Sequence, residues 1–411
     1  MSNPANQIEL QQDAIWFRVF LKLLAGGFGL TGLLLLALGL TLPAPVIDCV
    51  TGKPCVGDKA LFTIEASDLE NRSDQYVRQA IRTGALFFGT VSLLLMAGAL
   101  FFRPLLTLLS WPVAQAGIAV LFMIVCLMYA LLHYAFAAPW YDVAKLQTDP
   151  VSVPVFGKRF LFIEVAKAFR LIRPAFTYVQ SFVLSQMVAS VFAALSLALL
   201  FHRRFGYRGI LPGSLLFLAW IWPTYAYRNF YDFAIAGFFA LGFTAVLAGW
   251  PAVYVLTIGI GSLNHENILL LIPVGWLLWR DRTTSKQATL WSVFALAAWF
   301  AARVFQTALY PVPSAQFLKI VRNFRFIAER DGGGAVGLFW LSMCVLVTLA
   351  CLNRGSVFSQ KSSLLLLLLI LTTFVFGQFN EPRVFIAYLP VFCVLQLEAF
   401  KLDDRLTSSS S

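Results

Sequence analysis

Long runs without a single charge recur along this chain, and they leave few folds open. Residues 23–47, 174–201 and 335–353 contain no Asp, Glu, Lys or Arg. A helix needs roughly 20 apolar residues to cross about 30 Å of hydrocarbon. In lipid, backbone groups must be satisfied within the segment or across a closed barrel. A barrel would read as ten-residue segments of alternating polarity, and these runs do not alternate. Charged residues make up 12% of the chain, against about 25% in soluble domains. The expectation is an all-α, polytopic transmembrane bundle.

Twelve spans are expected, near 19–42, 84–102, 114–137, 176–201, 209–226, 233–248, 250–263, 268–280, 289–309, 335–353, 363–378 and 384–399. The seventh and eighth are short. Legs of about 14 residues reach only about 21 Å, so they read as half-helices meeting at a polar tip. Broken helices at membrane depth occur where they line protein or a cavity. Residues 1–113 read as a two-helix N-terminal addition with loop 43–83, 114–399 as the main bundle, and 400–411 as a cytoplasmic tail.

Orientation follows from Lys and Arg in short links. His202-Arg203-Arg204 with Arg208, Arg280-Asp281-Arg282 with Lys286, Arg354 with Lys361, and Lys401 with Arg405 share one side by parity. That side is assigned to the cytoplasm with both termini. The long segments 43–83, 138–175 and 310–334 then lie outside. Within them, 62–82 reads as an amphipathic helix rich in both signs of charge, and 160–170 and 317–327, mostly apolar with charges spaced by three, suit helices lying in the interface plane. The net charge of +11 is scattered over these links. It suits anionic headgroups as partners rather than nucleic acid. Cys49 and Cys55 share a polar loop and are disulfide candidates, consistent with an oxidising outer side. Two free thiols remain the alternative.

Asp232 and the His265-Glu266 pair enclose 32 residues, 233–264, with no charge among them. If two helices join them, both carboxylates return to one face. An ionised carboxylate inside a bilayer costs on the order of 3 kcal/mol or more, so such acids face water, a partner or a substrate. The same parity gathers Trp140-Tyr141-Asp142, Lys158-Arg159, Tyr227-Arg228 with Tyr231-Asp232, Asn264-His265-Glu266-Asn267 and Glu381-Pro382-Arg383 at the outer mouth.

This set suits attack by an acceptor hydroxyl on a sugar linked to a lipid phosphate. Asp142 or Glu266 would take the proton, with Asp232 as a further acid. Arg159, Lys158, Arg228 and Arg383 would neutralise the departing phosphate. Tyr227, Tyr231 and Trp140 would stack on sugar. His265, with a pKa near neutrality, would hold a phosphate oxygen or act as a second acid or base. Asn264 and Glu381 complete the binding set. Each residue also has a plainer role. Asp142 can simply be solvated, Asp232 can pair with Arg228, and Glu381 can pair with Arg383. No P-loop, Gly-x-Ser-x-Gly or zinc-ligand spacing occurs. No cofactor is assigned, and a divalent metal stays open.

The order of these motifs resembles bacterial integral membrane proteins of the GT-C-like glycosyltransferase and polysaccharide-polymerase type, over about residues 114–399. The elements are an acid after an early span, Phe156-Gly-Lys-Arg159-Phe-Leu, Tyr231-Asp232 opening a span, an Asn-x-Glu tip, and Glu381-Pro-Arg383 before the last helix. In that family the tip reads Asn-Arg-Glu-Thr. Here the glutamate is kept, and His265 and Asn267 replace the other two. The resemblance implies transfer of a sugar from a polyprenyl-phosphate donor to a glycan or lipid acceptor, at the outer face of a bacterial inner membrane, in cell-envelope polysaccharide synthesis. The partners are then membrane lipids and a lipid-linked donor. Two other classes stay open: a transporter or flippase built on the broken helices, and a non-catalytic membrane component of an assembly complex.

Overall fold

The computed structural model describes residues 160–206, 209–221, 232–310, 344–352, 356–376 and 382–399, together with 117, 147–148, 324 and 341–342. All belong to one compact unit, Gln115–Ser411. Among the described residues every regular element is helical. They are α1 (Leu161–Ile172), α2 (Tyr178–Phe205), α3 (Ile210–Ile221), α4 (Asp232–Ala248), α5 (Pro251–Asn264), α6 (Leu271–Trp279), α7 (Ser285–Leu309), α8 (Val357–Phe376) and α9 (Leu389–Ala399). The 3-10 segments Glu266–Leu270 and Pro382–Tyr388 lead into α6 and α9. α2, α7 and most of α8 are long and apolar enough to cross a bilayer. The chain is a helical membrane protein.

Local sequence explains where these helices start. Thr177 caps α2 in a reciprocal box: its side chain accepts from Gln180 N–H, and Gln180 accepts from Thr177 N–H. Thr284 caps α7 in the simpler way, accepting from Gln287 N–H. α5 starts with Pro251, whose missing N–H would have no helical partner there anyway. The turn before it needs Gly249, whose φ is 71°.

α4 is the hub. All but two of its residues are buried, Leu241 and Ala248 being partly exposed. Phe192 of α2 stacks on Phe238 at 4.7 Å. Further along, Arg204 and Phe243 both meet the ring of Phe358 in α8. α2 and α4 therefore run in the same direction. A Cβ on Gly237 would lie 2.7 Å from Phe192 and 3.0 Å from the Cα of Ala193, so only glycine allows this approach. Membrane helices gain cohesion from such close packing of small residues, because lipid offers no hydrophobic drive between them. Three buried hydroxyls of α2 and α4 are returned to their own helix. Ser185 donates to Phe182 O at 2.7 Å, Ser190 to Gln186 O at 2.9 Å and Thr244 to Ala240 O at 2.8 Å.

α5 runs back antiparallel to α4. Phe238 lies against Gly261, and Gly242 lies against Thr257. α6 then returns along α5. The hydroxyl of Tyr254 donates to Leu271 O at 3.0 Å, and the Tyr254 ring meets Trp279 edge-on at 4.8 Å. A Cβ on Gly275 would sit 2.5 Å from the Tyr254 hydroxyl, so that approach also needs glycine. α7 covers α5 and shows its other face outward. Leu290, Val293, Phe294, Phe300, Val304 and Phe305 are exposed there, as a lipid-facing side would be.

The two ends of the bundle differ. One end collects Arg204 paired with Glu398, Lys361 paired with Asp281, and Arg282 donating to Leu247 O. Ser356 and Ser359 also donate to Glu398. At the opposite end sits the turn between α5 and α6, called the tip below. There α1 is tied to the end of α7: Lys167 donates to Glu164 at 2.7 Å and to the Tyr310 hydroxyl at 3.1 Å. Tyr310 in turn donates to Glu164 and packs on Phe160 at 4.8 Å.

Two segments expected as plain α-helix start differently. Residues 266–270 and 382–388 are 3-10. In the second, residues three apart eclipse. Phe385 and Tyr388 therefore share one face, both fully buried, with rings edge-to-face at 5.2 Å. Tyr388 also donates to Leu369 O at 2.6 Å. Cys344, Cys351 and Cys393 are buried free thiols.

Candidate functional site

Asp232 opens α4 and is 6% exposed. A carboxylate in the first helical turn is favoured by the positive end of the helix dipole. The register of α4 against α5, carried outward, brings Asp232 level with the tip. The register against α2 sets it level with Gln186, which is also buried.

The tip itself is held by three devices. His265 leaves the helix in an extended conformation, φ −160° and ψ 132°, with its N–H donating to Gly261 O at 2.8 Å. Its Nδ1 accepts from Asn267 N–H at 3.2 Å. That bond assigns Nδ1 as acceptor and leaves the imidazole proton on Nε2. Glu266 Oε2 is 3.9 Å from Nδ1, beyond hydrogen-bond reach.

The other two devices come from α7. Trp299 Nε1 donates to Glu266 O at 3.3 Å, and Arg303 Nη1 donates to Ser262 O at 3.4 Å. Trp299 and Arg303 are four residues apart and so share one face of the helix. Ser262 O is one of the last carbonyls of α5, where a cation also meets the negative end of the dipole. Arg303 thus caps a helix and brings positive charge to the tip. Arg303 lies six residues before Leu309, about 9 Å along the axis. The tip is recessed by that amount below the end of α7.

Glu266 is half-exposed with Oε2 turned inward, and Asn264 is fully buried with its Oδ1 inside. Asp232, Asn264, His265 and Glu266 therefore lie at one end of the bundle. Arg383 falls in the 3-10 segment that packs against α4, and only its backbone is described. Asp142, Lys158, Arg159, Arg228, Tyr231 and Glu381 lie outside the described residues, as do Cys49 and Cys55. Nothing in the sequence pattern singles out Trp299, Arg303 or Gln186. All three stand in mid-helix, where a polar residue in an apolar run gives no sign of what it faces.

The Glu164–Lys167–Tyr310 cluster belongs to the same end. Burial pulls the Lys167 ammonium down, but its bonds to Glu164 and Tyr310 outweigh that and hold its pKa above the ordinary lysine value. Burial and the Glu164 carboxylate push the Tyr310 hydroxyl up. Among the described residues, no three of His, Cys, Asp and Glu gather as a metal centre would need. One shallow depression, lined by Ser285, Lys286, Thr289, Leu290 and Val293, lies at the start of α7, far from the tip. The chain matches no protein-family model, no curated protein and no solved structure.

Proposed function

We propose that this chain is a GT-C-like glycosyltransferase of the bacterial cytoplasmic membrane. It transfers a sugar from a polyprenyl-phosphate-linked donor to a glycan or lipid acceptor at the outer face. The reading rests on one observation. Glu266 and His265 stand on a recessed tip, beside Arg303 and level with the buried Asp232. In this reading Glu266 takes the proton of the acceptor hydroxyl as its oxygen attacks the anomeric carbon. The bond from that carbon to the phosphate oxygen breaks. The departing phosphate is stabilised by nearby cations, Arg303 among them, with His265 Nε2–H as a further donor. Asp232, being buried, orients the tip end of α4 rather than taking the proton.

Replacing Glu266 by Gln keeps the shape of the tip and removes the base. The expected outcome is loss of product with normal expression, measured by transfer of radiolabelled sugar from polyprenyl-phosphate donors in membranes. Full activity in Glu266→Gln removes the assignment.

A second reading, a transporter of lipid-linked or small anionic substrates, is favoured by the recess itself, since half-helices meeting at depth suit a midplane site. Deleting the gene separates the two. Donor accumulating in the outer leaflet beside an unmodified acceptor fits the transferase. Accumulation on the cytoplasmic leaflet fits the transporter.

A further inference from the structure

The elbow between α1 and α2 carries a feature that the tip does not use. α1 ends in Arg170-Leu171-Ile172, and Arg173-Pro174-Ala175 follow before α2 begins at Tyr178. Leu171 and Ile172 are 82% and 81% exposed, more than any other large apolar side chain described. The opposite face of α1 is buried through Phe162, Ile163 and Ala166. The helix is therefore seated on the protein, and the two aliphatics project from its end.

The charges around them are one-sided. No Asp or Glu occurs between Glu164 and Asp232. Lys167 is committed to Glu164. Among the described residues, Arg170 and Arg173 make no ion pair. Each guanidinium is instead held over a ring, Arg170 at 3.6 Å from the centroid of Tyr178 and Arg173 at 5.1 Å from that of Phe176. Stacking fixes the planar group while leaving its in-plane N–H donors for an anion. The Nε of Arg170 is buried and has no hydrogen-bond partner.

A soluble anion would gain nothing from the two exposed aliphatics. A membrane surface uses both features at once: aliphatic side chains enter the acyl region while cations stop at the level of the phosphates. We propose that Arg170 and Arg173 form a binding site for the phosphate of an anionic phospholipid, with Leu171 and Ile172 inserted among its acyl chains. Guanidinium forks match phosphate oxygens in pairs. The site is independent of the transferase reading and stands or falls separately from it.

The test uses the full chain in nanodiscs of mixed phosphatidylglycerol and phosphatidylcholine, with bound lipid counted by native mass spectrometry. The wild-type protein is expected to retain phosphatidylglycerol in preference to phosphatidylcholine. At roughly 1 kcal/mol per interfacial cation, the Arg170→Gln/Arg173→Gln double variant should lose about thirtyfold of that preference. Arg173→Gln alone should lose part of it. Arg173 is exposed, so this variant folds whatever the fate of the double one. An unchanged preference in Arg173→Gln overturns the proposal. Displacement of phosphatidylglycerol from the wild-type protein by millimolar inorganic phosphate also overturns it, because a soluble anion would then be the ligand.

Discussion

A single hydroxyl shows how tightly the short helices are joined. Tyr254 is fully buried, and its donation to Leu271 O places the oxygen where a Cβ on Gly275 would have to go. Losing the bond in Tyr254→Phe should cost about 1 kcal/mol. Gly275→Ala overpacks a site that cannot yield and should cost about 1–3 kcal/mol. The two effects share one atom, so they should not add. Gly275→Ala should be less damaging when combined with Tyr254→Phe than alone, as measured by thermal unfolding in detergent. Neither partner is legible in the sequence. A Tyr inside an apolar run and a Gly in a short leg look unremarkable until the two helices are placed side by side.

At the level of elements, the Glu164–Lys167–Tyr310 cluster ties α1 to the end of α7. Both shifts are upward, so the folded state holds the protons of Lys167 and Tyr310 more tightly than the unfolded chain. The stability this contributes is complete below the unfolded values, about 10 for tyrosine and 10.4 for lysine. It is lost as pH rises through the folded values. Unfolding temperature should hence be insensitive to this cluster from neutral pH to about 10 and fall above that. Tyr310→Phe should shrink the alkaline fall, which a pH series of melting curves would measure. The helix itself is foreseeable, because charges spaced by three in Phe160–Arg170 mark an interfacial helix. Its mooring is not, since Tyr310 is 146 residues from Glu164. The same holds at the tip. Asp232 and Glu266 stand out because apolar runs isolate them, whereas the 3-10 turn and the Trp299 and Arg303 clamps depend on which face of α7 meets α5.

Across the whole molecule, the end opposite the tip is fastened by charges of different worth. Arg204 and Glu398 are largely buried, and Glu398 also accepts from two serines. Removing one member of a buried pair strands the other, at about 3–5 kcal/mol. Lys361 and Asp281 are half-exposed, and such a pair is worth about 0–1 kcal/mol. Glu398→Gln should therefore destabilise strongly and Asp281→Asn hardly at all, as read by the denaturant midpoint. That His202-Arg203-Arg204, Arg280-Asp281-Arg282 and Lys361 share an end can be read from their parity between apolar runs. The pairing of Arg204 with an acid in the last helix cannot.

The recess of the tip has an electrical side. α5 is 14 residues long and α7 is 25, about 21 Å against about 37 Å. Where water follows that step down, the insulating slab is thinner, and an energised membrane concentrates its voltage drop across the short legs. A full elementary charge carried across 100 mV is worth about 2.3 kcal/mol. With such a step filled by water, Glu266 would stand at its floor, where that gradient would begin.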